Sequence, residues 1–316
     1  MDIDAKSSPT IADAPFNDPT DNVDLVIRTA DNVDFFVLSA LLSLRSPSSF
    51  FRHALQDNRH TEERDGLPVL RVQEDGATFR FILLLCYPYT TPEVDSLDQL
   101  LAVADALDKY CLDAALDRLI RTAPTSSLMK EHALRVFAIA ITHGWKELGE
   151  IAAKHTLAVP LDCAILDVEE LDGISARHLF RLQDYHKRCG KAAQLSSAWV
   201  LRHGTSSSQI KGISAEMNDL FSGDLYDWLD KSYLNPLYAK LLLEPRPDAA
   251  LDDIIIDGAI FESTRQCKTE CWAKVASSQI RKFGKAVAEE IDRRISKVSL
   301  DINWTNLKRG GRSDET

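Results

Sequence analysis

Apolar and polar positions alternate along residues 23–28, with Val23, Leu25 and Ile27 on one side and Asp24, Val26 and Arg28 on the other. A period of two predicts a strand. Asp31-Asn32 supplies two residues that tolerate the positive φ of a tight hairpin turn, and residues 33–37 read as the returning strand. The period then changes. Residues 40–45 predict a short helix, and Ser46-Pro47 opens another, a capping hydroxyl followed by proline at the first helical position. Phe50, Phe51, Ala54 and Leu55 give that helix an apolar stripe at spacings of three and four. Residues 56–66 are polar and predict a loop, and residues 67–72 predict a strand whose Pro68 marks an edge or a strand start.

Helical spacing dominates from there. Asp75 is placed to cap a helix reaching about Cys86, and Tyr87-Pro-Tyr-Thr-Thr-Pro predicts a turn. Ser96-x-x-Gln99 is a capping-box pattern opening a helix with Leu97, Leu100, Leu101, Ala104 and Leu107 on one face. Leu112, Ala115, Leu116, Leu119 and Ile120 mark the next helix, before Pro124. Helices are then predicted over 127–142, 145–157 and 175–202, the last interrupted or kinked near Gly190, with a short acidic helix or turn in 161–173. Gly204-Thr-Ser-Ser-Ser reads as a linker. Helical blocks follow at 224–243 and 272–298, the second striped by Ile280, Phe283, Val287, Ile291 and Ile295, which predicts a core face. Leu300, Ile302 and Trp304 alternate with polar residues like a short strand. The expected organisation is a disordered acidic tail over 1–22, an α+β domain over 23–123, a helical extension over 124–204, and a C-terminal helical region over 205–316 with a disordered end.

Charge narrows the function classes. The net charge of −11, with no block of Lys and Arg, argues against nucleic-acid binding, which needs a concentrated basic face. The longest uninterrupted apolar run, residues 81–87, is far short of the roughly 20 residues that cross a bilayer. The N-terminus has no signal-peptide pattern, so a cytoplasmic or nuclear protein with reduced thiols is expected. Cys86 and Cys111 sit in apolar helical patterns and read as small core residues. Trp145, Trp199, Trp228 and Trp304 read as core anchors.

The chain has no Gly-x-Ser-x-Gly elbow, no phosphate-cradling glycine loop and no His-Glu-x-x-His. Cys267-x-x-x-Cys271 could place two thiolates on one helix face, with His178, His186 or Cys189 completing a metal site. A single pair at that spacing reads as packed thiols beside Trp272. No cofactor and no catalysis are expected.

The order of elements and the residues Asp24-Leu-Val-Ile, Phe35, Leu41-Leu42-Ser43, Ser46-Pro47, Phe51, 67–72, 81–87 with Thr90, and Ala102-x-x-Leu-Asp-Lys-Tyr110 resemble a BTB/POZ domain. Residues 124–204 are similar to the helical BACK-type extension that often follows it. The whole chain is similar to BTB proteins expanded in mushroom-forming fungi, including the lead-in Phe16-Asn-Asp-Pro. The resemblance implies an α+β N-terminal domain, a small sheet with helices, followed by all-α regions. It implies a protein–protein interaction module, with a cullin scaffold as one candidate partner and a substrate-adaptor role in a ubiquitin ligase. The alternatives are a transcriptional co-regulator, a scaffold of other partners, or an enzyme with a helical C-terminal domain.

Departures shape the expected site. Many members carry His-Lys after the second strand, where this chain has Leu38-Ser39. In dimeric members an Asp and that basic residue form a charged pocket, so Asp24 here faces Ser39 with no positive charge. The proline-containing lead does not read as the helix and strand that strong dimers exchange, so a weak dimer or monomer is expected. Cullin binders often carry an apolar-x-Glu motif after the second helix, and this chain offers Leu55-Gln56-Asp57. Leu55, Asp57, Arg64, Tyr87 and Tyr89 are therefore the candidate partner-binding residues, with Tyr87, Tyr89 and the loop 55–64 expected at the surface.

Overall fold

The computed structural model describes residues 8–44, 62–125, 127–161, 167–194, 228–266 and 270–307. Its sheet is built on the expected hairpin. Strands β1 (Thr10–Ile11), β2 (Leu25–Arg28) and β3 (Val33–Val37) are joined by β4 (Glu63–Arg64) and β5 (Leu67–Arg71), in the spatial order β1-β3-β2-β5-β4. β2 and β3 are antiparallel, with Leu25 opposite Val37 and Arg28 opposite Asp34, while β5 runs parallel to β2. Asn32 takes φ +60° in the turn, the conformation the Asp-Asn pair predicts. Every residue of β2 is buried, so both sheet faces are covered, and Val26, Phe36 and Val69 form one cluster with Val23 and Leu67 against it.

Two strands depart from the sequence reading. The run 56–66 was expected to be a loop, but Glu63 and Arg64 pair antiparallel with Pro68 and Leu67. Asp65 and Gly66 make the turn at φ +53° and +79°, a two-residue hairpin signal that the surrounding polarity obscures. The acidic lead also carries structure. Thr10 and Ile11 lie parallel to β3, with the Thr10 and Ala12 amides donating to the Asn32 and Asp34 carbonyls at 2.9 Å. Phe16 is buried, its carbonyl accepts the Phe36 amide at 3.0 Å, and Arg80 donates to the Asp13 and Ala14 carbonyls. The open edge of β3 and the burial of one aromatic ring thus order residues that composition alone assigns to a disordered tail. Residues 1–7 lie outside the described residues.

Helix α1 (Ser39–Leu44) follows β3, and the helix expected from Ser46-Pro47 lies outside the described residues. α2 (Gly76–Cys86) opens on Asp75, whose carboxylate accepts the Thr78 amide at 2.7 Å. α3 (Leu97–Lys109) opens on Ser96, which accepts the Gln99 amide at 3.1 Å, while the Gln99 side chain takes the Asp95 amide. α4 (Asp113–Thr122) completes this group. Cys86 is buried in α2, as its apolar pattern predicts. Cys111 instead sits half-buried at φ +53° in the turn between α3 and α4.

The remainder is helical. The helix expected over 127–142 is two, α5 (Leu128–Glu131) and α6 (Ala133–His143), because the backbone leaves helical geometry at His132 (φ −130°, ψ 29°). α7 (Lys146–Thr156), α8 (Ala176–Ala193), α9 (Asn235–Leu243), α10 (Asp253–Gln266) and α11 (Glu270–Ile295) follow, with a 3-10 turn at Glu169–Gly173, a π turn at Asp230–Leu234 and a 3-10 turn at Pro247–Leu251. Two compact units result. The described residues up to Val136 with His143–Ile151 belong to one, and Phe137–Thr142 with the described residues from Ala152 to Leu307 belong to the other.

In the second unit, the α11 stripe of Ile280, Phe283, Val287, Ile291 and Ile295 is the core face the spacing predicts. Tyr233 packs edge-on against Phe283 and donates its hydroxyl to the Ala250 carbonyl at 2.8 Å. α8 runs unbroken through Gly190, so the expected interruption there is absent. An added Cβ there would lie 3.0 Å from the Leu241 carbonyl oxygen of α9, so the glycine serves close helix packing. α10, whose isoleucine run and Gly258 hid its helical period, is an addition. Leu300 and Ile302 are extended and half-buried but form no strand, and Trp304–Asn306 is a 3-10 turn. Extended residues need a ladder partner, and among the described residues this unit contains no strand to supply one. Trp145 and Trp228 are buried, Trp304 is half-buried, and Trp199 lies outside the described residues, as does the linker from Gly204.

Candidate interaction surface

The loop after α2 carries two of the candidate residues, and the structure gives them different roles. Arg118 of α4 reaches under the loop. Its guanidinium donates to the carbonyls of Leu85 at 3.0 Å, Tyr87 at 3.1 Å and Tyr89 at 2.7 Å. One side chain thus satisfies the carbonyls left over where α2 ends. Tyr87, expected at the surface, is buried. Its hydroxyl accepts the Leu38 amide at 2.8 Å, and burial pushes its pKa up to about 12. Its ring fills the space beside Phe16, 5.3 Å between centroids. Tyr89 stacks on Tyr87 at 5.9 Å with an interplanar angle of 3° and is 41% exposed. The pair forms a ledge in which Tyr87 is the support and Tyr89 the accessible face. Phe16, Phe35, Phe79 and Tyr110 continue the aromatic contacts inward at 6.0–6.4 Å. Tilted and edge-on rings of this kind hold orientation as well as burying area.

Arg64 is drawn into a buried charge network. Asp34 has no solvent exposure and accepts two bonds from Arg28, at 2.6 and 2.9 Å, and another from Arg64. Arg28 also reaches Glu62, which takes Arg71 at 2.8 Å. The register explains the centre of the network, since Arg28 and Asp34 are direct cross-strand partners. Sequence reading passed over it, although counting back from the Asp31-Asn32 turn would have placed the two residues opposite each other. Beside the network lies a cleft of about 330 Å³ lined by Arg28, Asn32, Glu62, Glu63, Arg64 and Arg71 with Ser8 and Pro9. Its guanidiniums are largely matched by Asp34 and Glu62, so the cleft is a charge-balanced surface rather than an anion hole. The Glu62 pKa is lowered, first by the bond from Arg71 and then by Arg28.

At the other end of the hairpin, Asp24 accepts the Ser39 amide at 2.6 Å and the Ser39 hydroxyl at 2.7 Å. A neutral partner, Ser39, therefore satisfies the carboxylate. Leu55 and Asp57 lie outside the described residues. So do Cys267 and the side chain of Cys271. His186 and Cys189 are buried on α8, and burial pushes the Cys189 thiol up to about 11. Among the described residues no group of three or more His, Cys, Asp or Glu side chains is placed to hold a metal ion. No described helix is long and apolar enough to cross a membrane.

Residues 14–123 match the BTB/POZ domain family, about a third of the chain. The match takes in Phe16 and its contacts, the hairpin, the tyrosine ledge and α4. No curated protein matches the chain.

Proposed function

From the BTB/POZ domain of residues 14–123 we infer that the chain is a non-catalytic protein–protein interaction module that serves as a substrate adaptor for a cullin-type ubiquitin ligase. The domain match carries the interaction-module part of this reading, because BTB/POZ domains are protein-interaction domains. Tyr89 supports it as an exposed aromatic held on a rigid base by Tyr87 and Arg118, the kind of side chain that anchors an interface. Leu55-Gln56-Asp57 stands early in register and ends on Asp where cullin binders often carry Glu, so it departs from that motif. In this reading residues 124–204 are a BACK-like extension, the C-terminal region holds a second partner, and the protein acts in the cytoplasm or nucleus. It is a monomer or weak dimer, since Asp24 is satisfied by Ser39 and β1 lies on its own β3.

The test is a titration of the full chain against a purified cullin N-terminal domain, beside a Leu55→Ala/Tyr89→Ala variant. Tyr87 is spared because its burial would make the variant a folding experiment. Micromolar or tighter binding, weakened by about tenfold or more in the variant, is expected. No binding, or equal binding by both proteins, would remove the cullin assignment. A tight dimer at nanomolar concentration in the analytical ultracentrifuge would overturn the assigned oligomeric state.

A further inference from the structure

α8 carries a basic face in an acidic protein. The helix has five cations, Arg177, Arg181, Lys187, Arg188 and Lys191, against one carboxylate, Asp184, while the whole chain has a net charge of −11. At 100° per residue these six side chains and Phe180 fall within about a third of the helix circumference. The opposite side holds Leu182, Tyr185, His186, Cys189 and Ala193, all buried. The basic residues therefore follow from one side of an amphipathic helix being committed to the core and the other being left to solvent.

Asp184 does not neutralise the face. It pairs with Arg188 at 2.8 Å, and Arg188 also reaches Asp301 at 3.1 Å and the Ser299 carbonyl. Arg177, Lys187 and Lys191 are exposed and Arg181 is half-buried, and none of the four makes an ion pair among the described residues. Phe180 stands among them at 59% exposure. Burial, and then the Arg177 charge, lower the His178 pKa, so His178 adds no charge to the face near neutral pH. From Arg177 to Lys191 the face runs about 21 Å.

We propose that this face of α8 is a docking surface for an acidic segment of another protein, one that sets an apolar side chain against Phe180 and its carboxylates against Arg177, Arg181, Lys187 and Lys191. Charge complementarity selects the occupant. Two arginines one turn apart offer planar forks that take carboxylates bidentately. Nucleic acid is disfavoured, because four cations are a small footprint and the net charge of −11 repels phosphate at longer range. A membrane surface is disfavoured because the apolar side of α8 is already buried, leaving Phe180 as the only large apolar residue on its exposed face. The surface lies outside the BTB/POZ domain, so the proposal stands independently of the cullin assignment.

The probe is a fluorescein-labelled peptide of Glu-Glu-Leu-Asp repeats, titrated into the full chain and followed by fluorescence polarisation. A variant with Arg177→Gln, Arg181→Gln, Lys187→Gln and Lys191→Gln changes three exposed groups and the half-buried Arg181, and its far-ultraviolet circular dichroism checks its fold. Binding to the native chain is expected to be about tenfold or more tighter than to the variant, and to weaken between about 50 and 500 mM salt. Phe180→Ala is expected to weaken binding while leaving the salt dependence intact. Parallel titrations use phosphatidylserine-containing vesicles and a DNA duplex. No binding of the peptide by the native chain, equal binding by the variant, or capture of vesicles or duplex in preference to the peptide would each overturn the proposal.

Discussion

Asp34 shows how much one residue can depend on its neighbours. A carboxylate without solvent contact is tolerable only if its oxygens are saturated, and Arg28 and Arg64 do this. Arg28→Leu is expected to destabilise the first unit by about 3–5 kcal/mol, because it leaves Asp34 with half its partners and Glu62 without one of its two. The double variant Arg28→Leu/Asp34→Leu is expected to recover most of that loss, since apolar side chains can replace a buried pair of similar volume. Urea denaturation of the three proteins measures both effects. A single variant within about 1 kcal/mol of native would show that the network is decorative. The same cluster marks a limit of sequence reading. Arg64 was a reasonable surface candidate, being charged and within a polar run, yet its fate depends on Asp34, distant in sequence and close only after the sheet forms. Tyr87 and Tyr89 likewise look equivalent as letters, and only the placement of Leu38, whose amide bonds the Tyr87 hydroxyl, separates the support from the exposed face.

Elements were legible where their punctuation is local. The hairpin turn, the Asp75 and Ser96 caps and the core stripe of α11 each rest on residues within a turn or two of one another, and each is in the structure as expected. The strands β1 and β4 were hidden because two-residue elements have no period to detect; they exist through the edges of β3 and β5. Gly190 failed in the opposite sense. Glycine inside a helical pattern signals either a break or a close approach, and the sequence does not contain the neighbouring helix that decides between them. The structure supplies it in the Leu241 carbonyl. Gly190→Val is therefore expected to cost about 1–3 kcal/mol through overpacking between α8 and α9, although valine is the better helix former. Thermal unfolding followed at the helical signal checks this, and a variant as stable as native would mean that α9 yields without cost.

For the whole molecule, the division into an α+β start and helical remainder was readable because alternation ends after residue 72 and spacings of three and four take over. Its response to acid was not readable, because pKa shifts depend on burial. His186 is buried on α8, and desolvation lowers its pKa below the ordinary 6.5 despite bonds to the Thr156 and Val159 carbonyls. The unfolded chain then takes up the proton before the folded one does. Stability is therefore expected to fall as pH drops through 6.5 toward the folded value, and to be full above it. His178 is shifted in the same direction and adds to that window. The carboxylates follow at lower pH. For Glu290 burial raises the pKa, but the bonds from Arg293 and Arg294 outweigh it, and Asp252 is lowered first by Lys240. Their contribution persists above the ordinary values of 4.5 and 3.8 and is lost as pH falls through the folded ones. Melting temperature against pH should thus decline in two stages, and His186→Gln should narrow the first stage while leaving the second in place. A native profile flat from about pH 7.5 to 5, or a variant profile identical to it, would show that His186 is charged in the folded protein or exposed to solvent.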